Sequence, residues 1–447
     1  MKDTIAAIST SLGVGAISII RVSGDNSIEI VNNITKNKNL TDALTHTIHY
    51  DFIVDKDKII DEVLISVMMS PKTFTKEDVV EINCHGGIAT TNKVLELLLT
   101  NGCRLAEPGE FTKRAFLNGR INLNQAEAVM DLINSKTEKA RTLAINGITG
   151  NVSNMIKDLR DKLVGLIASI EVNIDYPEYD NEDVTEKDVE NELGNIKKKL
   201  NEIINNSENG KIIKEGIKTS IIGKPNVGKS SILNALLDEE KAIVTDIEGT
   251  TRDVVEGTLS IDGIIFNILD TAGIRDTSDT VEKIGVEKSL KLIDESDLIL
   301  FVLNNNEELT TEEEEILDKL KEKNYIIIVN KINLDKKINI NNNNIVYLSA
   351  LNKVGIEDLK KKIKEIFNLE KLETSDLNYL TGTKNIAILK EALKSIDDVE
   401  EAIKNNMPID MLEIDIKNIW TSLGTIIGET YSEELIDEMF SRFCLGK

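Results

Sequence analysis

The chain has 447 residues, 41% apolar and 29% charged, enough for about two to four soluble domains with cores of their own. Its net charge of −24 excludes a protein that grips nucleic acid by a general basic surface, because phosphate neutralisation dominates such binding. The apolar runs at 298–303 and 325–329 are strand-length, the N-terminus offers no secretory apolar stretch, and Cys84, Cys103 and Cys444 are too scattered for a disulfide framework. A cytoplasmic protein without a membrane span is expected.

In chain order, 4–8, 15–22 and 62–68 read as strands and 27–31 and 91–99 as helices, an α+β pattern over 1–118. Long helical periodicity follows at 125–134, 138–147 and 154–174; Pro177 and an acidic turn interrupt it, and 188–206 resumes it. Between 214 and 370 strand and helix alternate, with strands expected at 218–222, 254–261, 264–269, 298–303, 325–329 and 345–348. That alternation predicts a doubly wound sheet. Helices return at 385–404 and 411–428. The expected organisation is therefore 1–118, a helical domain at 119–213 and 371–447, and a nucleotide domain at 214–370 inserted into it.

The most informative motif is Gly223-Lys-Pro-Asn-Val-Gly-Lys-Ser230, which matches G-x-x-x-x-G-K-[ST] after an apolar strand. Glycines let backbone N–H groups converge on a polyphosphate, Lys229 brings a point charge, and Ser230 can ligate Mg²⁺. Three further signals follow in the order a GTPase sheet requires. Gly249-Thr250-Thr251-Arg252-Asp253 precedes a strand and can complete the Mg²⁺ shell; Asp270-Thr271-Ala272-Gly273 ends one, near the metal and the γ-phosphate. Asn330-Lys331-Ile332-Asn333 follows another, where the base is read. Ser349-Ala350-Leu351 is a weaker fourth signal, bracing the base. Taken singly each could be an ordinary strand-to-loop turn; in sequence they specify a GTP-binding domain.

Two positions depart from the usual pattern. The fourth position of N-K-x-D is Asn333, and a carboxamide presents one acceptor and one donor where a carboxylate accepts twice. Weakened discrimination among purines is expected, unless Asp335 substitutes through a small loop shift. Ile274 stands where Ras-type enzymes carry a water-orienting glutamine, so another residue must take that role if hydrolysis is appreciable. Glu282, Asp276 and Asp279 follow on an acidic segment that spacing alone reads as a solvated loop.

The whole chain resembles the tRNA modification GTPase MnmE (TrmE) family. The resemblance lies in Asp3-Thr-Ile-Ala-Ala-Ile8, Arg21-Val-Ser-Gly24, Glu77-Asp-Val-Val-Glu-Ile-Asn-Cys-His-Gly-Gly87, Pro108-Gly-Glu-Phe-Thr-Lys-Arg-Ala-Phe-Leu-Asn-Gly119 and the chain end Phe443-Cys-Leu-Gly-Lys447. It implies multidomain α/β and α+β architecture: a folate-binding, dimerising α+β domain first, then a P-loop GTPase domain inserted in a helical domain. It also implies an activity. With a flavin-dependent MnmG (GidA) partner in a heterotetramer, such homodimers modify C5 of the wobble uridine (position 34) of tRNA to aminomethyl or carboxymethylaminomethyl groups. A 5-formyl- or methylene-tetrahydrofolate derivative is the implied one-carbon source, and GTP hydrolysis is K⁺-stimulated.

Residue by residue, the resemblance implies GTP contacts from Asn226, Val227, Gly228, Lys229, Ser230, Ser231, Thr245, Asp246, Ile247, Glu248, Gly249, Thr250, Thr251, Asp270, Thr271, Ala272, Gly273, Asn330, Lys331, Asn333, Ser349, Ala350 and Leu351. It implies Mg²⁺ at Ser230 and Thr251, K⁺ at Asn226, Thr245, Ile247 and Thr250, and Glu282 as the catalytic residue that answers Ile274. Arg21, Glu81, Arg120 and Lys447 fall on folate-contacting positions, with arginine at 120 where lysine is usual; the alternative is ordinary salt bridges. Cys444 is placed near the folate, or is a small buried apolar residue; Gly446 and Lys447 are wrong for prenylation. Cys84-His85 lacks a second pair for zinc, so Gly86-Gly87 are expected to mark a tight turn. The stretch 381–385 replaces a more arginine-rich one in the family, which puts RNA contact there in doubt. A regulatory GTPase of ribosome assembly is the rival reading, and the missing basic module weighs against it.

Overall fold

A computed structural model describes residues 3–175, 186–239, 255–269, 291–369, 380 and 382–428, with 436, 439–441, 443 and 446 near the C-terminus. The chain divides into two compact units, one built from 1–130, 148–200 and 382–447 and the other from 131–147 and 201–381.

In the first unit, β1 (Ile5–Ile8), β2 (Ile17–Ser23), β3 (Thr47–Asp55), β4 (Lys58–Met68), β5 (Val79–His85) and β6 (Arg104–Leu105) form a six-stranded sheet in the order β3-β4-β5-β2-β1-β6. All neighbours are antiparallel except β1 and β6. One face carries Ile20, Val22, Ile65, Val67, Val80 and Ile82 in alternation. That face is buried against α1 (Ser27–Asn33) and α2 (Ile88–Thr100) through Val31, Val94 and Leu98. The other face leaves Ile17, Ile48, Tyr50 and Leu64 exposed.

Neither β3 nor β5 is among the predicted strands. In β3 the inward position is a carboxylate: Asp51 is buried and accepts hydrogen bonds from the Asn37 backbone N–H and side-chain amide, at 3.3 and 3.0 Å. A buried acid satisfied by a neighbouring loop erases the hydrophobic alternation that strand reading depends on. The same unit holds α3 (Glu110–Leu117), α4 (Leu123–Asn134), α6 (Asn151–Asp175), α11 (Thr383–Lys404) and α12 (Ile409–Ile427); α4 spills its last four residues into the second unit. Ile156, Leu163 and Ile170, seven apart, form the buried stripe of α6, against which α12 packs. Arg160 stacks 4.3 Å from the Trp420 ring, fastening α6 to α12.

The second unit is a six-stranded sheet of β7 (Ile217–Ile222), β8 (Val255–Ile261), β9 (Ile264–Leu269), β10 (Leu298–Asn304), β11 (Tyr325–Asn330) and β12 (Ile345–Tyr347), in the order β12-β11-β10-β7-β9-β8. Five strands are parallel and β8 is an antiparallel edge. Every residue of β10 is buried, because a parallel sheet is covered on both faces. One face packs α8 (Lys229–Glu239), α10 (Ile356–Ile366) and α5 (Glu138–Thr149), the last through Ala140 and Leu143. The opposite face packs α9 (Thr311–Leu320) through Ile316 and Leu320. The long α7 (Glu186–Glu215) leads into β7 through Gly216, whose φ is +76°. A Cβ there would stand 2.5 Å from the Ile265 carbonyl oxygen, so only glycine lets α7 turn directly into the sheet.

Candidate nucleotide site

In an open parallel sheet the crevice at the carboxyl ends of the strands is where ligands bind. Three of those ends converge here. β7 runs into the loop 223–228 and then α8, β11 ends at Asn330, and β12 leads into Ser349 and Ala350. The loop is shaped by close approach. Gly223 has φ +146° and a Cβ there would lie 2.4 Å from the Val302 carbonyl oxygen; Gly228 has φ +101° and its Cβ would lie 2.2 Å from Asn330 Nδ2. Asn226 also takes positive φ, +60°. This backbone leaves the N–H groups at the head of α8 aimed outward, an arrangement suited to a polyphosphate.

Lys229 opens α8, and its Nζ donates to the carbonyl oxygens of Gly223 and Lys224, both at 2.8 Å. Burial pushes its pKa below the ordinary lysine value. A desolvated ammonium whose partners among the described residues are neutral carbonyls favours the arrival of anionic oxygens, so the cradle fits a phosphate chain. Ser230, the residue able to ligate Mg²⁺, follows it on the first turn.

Asn330 is the keystone. It is buried, its Nδ2 donates to the Val227 carbonyl at 2.8 Å, and its Oδ1 accepts from the Ala350 N–H at 3.1 Å. One side chain thus ties the phosphate loop to the loop after β12. Ser349 Oγ donates to Asn333 Oδ1 at 3.0 Å, joining that loop to the base-reading one, while Lys331 takes φ +64° and Leu351 stays exposed. Asn226, Val227, Gly228, Lys229, Ser230, Asn330, Lys331, Asn333, Ser349 and Ala350 are therefore brought to one end of the sheet. Thr245, Asp246, Ile247, Glu248, Gly249, Thr250, Thr251, Asp270, Thr271, Ala272, Gly273 and Glu282 lie outside the described residues. The bridging role of Asn330 is invisible in sequence, where the residue reads only as the first letter of a base-binding motif.

In the first unit, Arg21 and Glu81 face each other across β2 and β5 and pair at 2.8 Å. Arg21 also lies 5.6 Å from the Phe111 ring and reaches the Gly446 carbonyl at 3.4 Å, which Ser9 Oγ meets at 3.1 Å. Arg120 donates to the Phe74 carbonyl at 3.1 Å and covers the Phe74 ring at 4.7 Å. Phe74 and Phe111 share one apolar cluster, so these residues surround a common aromatic patch. Lys447 and Cys444 lie outside the described residues.

Beside that patch, Arg114 is buried among Asp3, Glu77 and Glu110, with Arg104 joining through Glu110. No sequence pattern announces this network, whose members stand up to 111 residues apart. Gly86 and Gly87 form the short bend from β5 (ending at His85) into α2: Gly86 lies where a Cβ would stand 2.3 Å from the Gly15 carbonyl oxygen, and Gly87 caps α2. Cys84 is buried, donates to the Ser18 carbonyl, and burial pushes its thiol pKa up. Among the described residues there is no metal-ligating cluster of three or more, and no helix long and apolar enough to cross a membrane.

Comparison with known proteins adds independent support. The model of the GTP-binding protein TrmE N-terminus matches residues 4–120, and that of the MnmE helical domain matches 123–444. Curated tRNA modification GTPases MnmE of Bacillus cytotoxicus and Bacillus anthracis are each 50% identical over 455 aligned residues, covering 100% of this chain and 99% of theirs. Among solved structures, the FeoB G-domain of Methanococcus jannaschii is 27% identical over 34% of this chain and 98% of its own, with a TM-score of 0.25. The two family models and the full-length relatives agree: the chain belongs to the tRNA modification GTPase MnmE family.

Proposed function

We infer that the chain is a GTP hydrolase of tRNA modification, acting as a homodimer with a flavin-dependent MnmG partner on C5 of the wobble uridine. The observation that carries the GTPase part is the Asn330 bridge, which unites a phosphate loop and a base-bracing loop at one sheet end. Ser230, with Thr251, would hold Mg²⁺, which supplies charge neutralisation at the phosphates. Asn226, with oxygens from Thr245, Ile247 and Thr250, would hold K⁺, supplying the charge of an arginine finger. Lys229 binds the outer phosphates, and Glu282 is the proposed water-orienting residue in place of Ile274.

Two features of the first unit support its proposed roles. The guanidinium groups of Arg21 and Arg120 beside the Phe74–Phe111 cluster suit a flat, carboxylate-bearing ligand such as a tetrahydrofolate derivative. The exposed Ile17, Ile48, Tyr50 and Leu64 on one sheet face suit a self-complementary interface. The charge of −24 favours a partner that brings most of the tRNA-binding charge.

Wobble-uridine analysis in a deletion strain tests the assignment. Loss of the C5 modification, restored by the intact gene, is the expected result. Unchanged uridines with a disturbed ribosomal-subunit profile would transfer the assignment to ribosome assembly.

A further inference from the structure

The base-reading end of the nucleotide site departs from a guanine reader at one atom. A carboxylate there would accept from both the N1–H and the exocyclic C2 amine of guanine. The chain carries Asn333, whose amide oxygen already accepts from Ser349 Oγ at 3.0 Å. Carbonyl oxygen has a second lone pair, so Oδ1 can still accept from a purine N1–H. The other edge of the same amide is Nδ2, which only donates. Opposite the C2 substituent it meets a donor in guanine, a hydrogen in hypoxanthine and an acceptor in xanthine.

The loop geometry keeps Asp335 from taking over. Asn305 Nδ2 donates to the Leu334 carbonyl at 3.0 Å, and the Asn305 carbonyl accepts from the N–H groups of Lys337 and Ile338 at 2.8 and 3.2 Å. Leu334 N–H closes a turn onto the Lys331 carbonyl at 2.9 Å, and Ile332 N–H reaches the Leu348 carbonyl at 3.3 Å. The segment on both sides of residue 335 is thus pinned to β10 and β12. The small shift that would bring Asp335 to the base edge breaks several backbone hydrogen bonds. Asn333 is the residue that Ser349 orients, and it is exposed.

We propose that Asn333, oriented by Ser349, makes this a broadened 6-oxopurine site that accepts xanthosine triphosphate alongside GTP and barely separates GTP from inosine triphosphate. This rests on the nucleotide-binding reading given above and sharpens its ligand class. A site built to pair with a substrate group rejects analogues lacking it, and one with a mismatched donor forfeits that discrimination.

The test is competition binding of GTP, inosine triphosphate, xanthosine triphosphate and ATP to the full chain with Mg²⁺, for the native protein, Asn333→Asp and Asp335→Ala. The native chain is expected to bind GTP and inosine triphosphate within about threefold and to be displaced by xanthosine triphosphate. Asn333→Asp should raise the preference for GTP over xanthosine triphosphate by about a hundredfold; Asp335→Ala should leave the ranking unchanged. Strong native preference for GTP with no displacement by xanthosine triphosphate overturns the proposal while leaving the GTPase reading intact, as does loss of ranking in Asp335→Ala. Failure of every purine triphosphate to bind overturns both. The native ranking decides the matter even where a variant does not fold.

Discussion

The two sheets offer their chemistry in opposite ways. The parallel sheet of the second unit is buried on both faces and delivers its site from loops at strand ends, with backbone shape set by glycines and one asparagine bridge. The antiparallel sheet of the first unit buries one face along its length and the other around β1, and gathers Arg21 and Glu81 side by side from strands sixty residues apart. A loop site is made of short contiguous motifs and tolerates little change in backbone; a sheet-face site is scattered as single residues and depends on side-chain ends. The two should therefore fail differently under mutation.

The largest expected effect is at the loop site. Lys229→Ala removes the buried ammonium at the phosphate cradle, and GTP affinity should fall on the order of a hundredfold. Isothermal titration with GTP checks this, and a loss below threefold would break the contrast. Gly228→Ala comes next. Its Cβ would stand 2.2 Å from Asn330 Nδ2 at φ +101°, so strain and the broken bridge together should cost about 2–3 kcal/mol. Gly119→Ala is the matched control in the first unit, with φ +66° and open space around the new Cβ. It should cost about 1 kcal/mol from backbone strain alone. Urea unfolding of the two variants reads the difference directly.

At the sheet-face site, Arg21→Ala should lower affinity for a tetrahydrofolate derivative by about tenfold, the loss of one charge-assisted contact. Equilibrium binding by fluorescence measures it; GTP affinity should not change. The smallest effect concerns Glu110. Burial pushes its carboxyl up, but hydrogen bonds from Arg104, the Glu107 N–H and Arg114 outweigh that and hold it below the ordinary value of 4.5. A depressed acid binds fewer protons folded than unfolded. Its stabilisation is complete above that ordinary value and is lost as pH falls through the lower folded one. Protection of the α3 amides, taken relative to their intrinsic exchange rates, should fall on acidification below about pH 4.5, and Glu110→Gln should flatten that acid limb.

What was legible in the sequence follows the same division. The strands of the parallel sheet are continuous apolar runs, and their ends carry motifs, so β7, β9, β10 and β11 fall where periodicity places them within a residue or so. The antiparallel sheet resists that reading because Asp51 occupies an inward position on β3. In β5, by contrast, Val80, Ile82 and Cys84 alternate with Glu81, Asn83 and His85, a half-buried strand pattern that the expected elements omit. Motif spacing marked Asn330 and Ala350 but not the bond between them, since a hydrogen bond across 20 residues leaves no local pattern. Arg21, Glu81 and Arg120 were found through family resemblance alone, and the aromatic patch joining them required the folded chain.

The most direct test of the account is GTP turnover by the intact protein in K⁺ against Na⁺ at equal ionic strength, with Glu282→Ala alongside. Turnover markedly faster in K⁺, and lost on removing the Glu282 carboxylate, is the predicted result. Equal rates in the two salts, or an unimpaired variant, would contradict it.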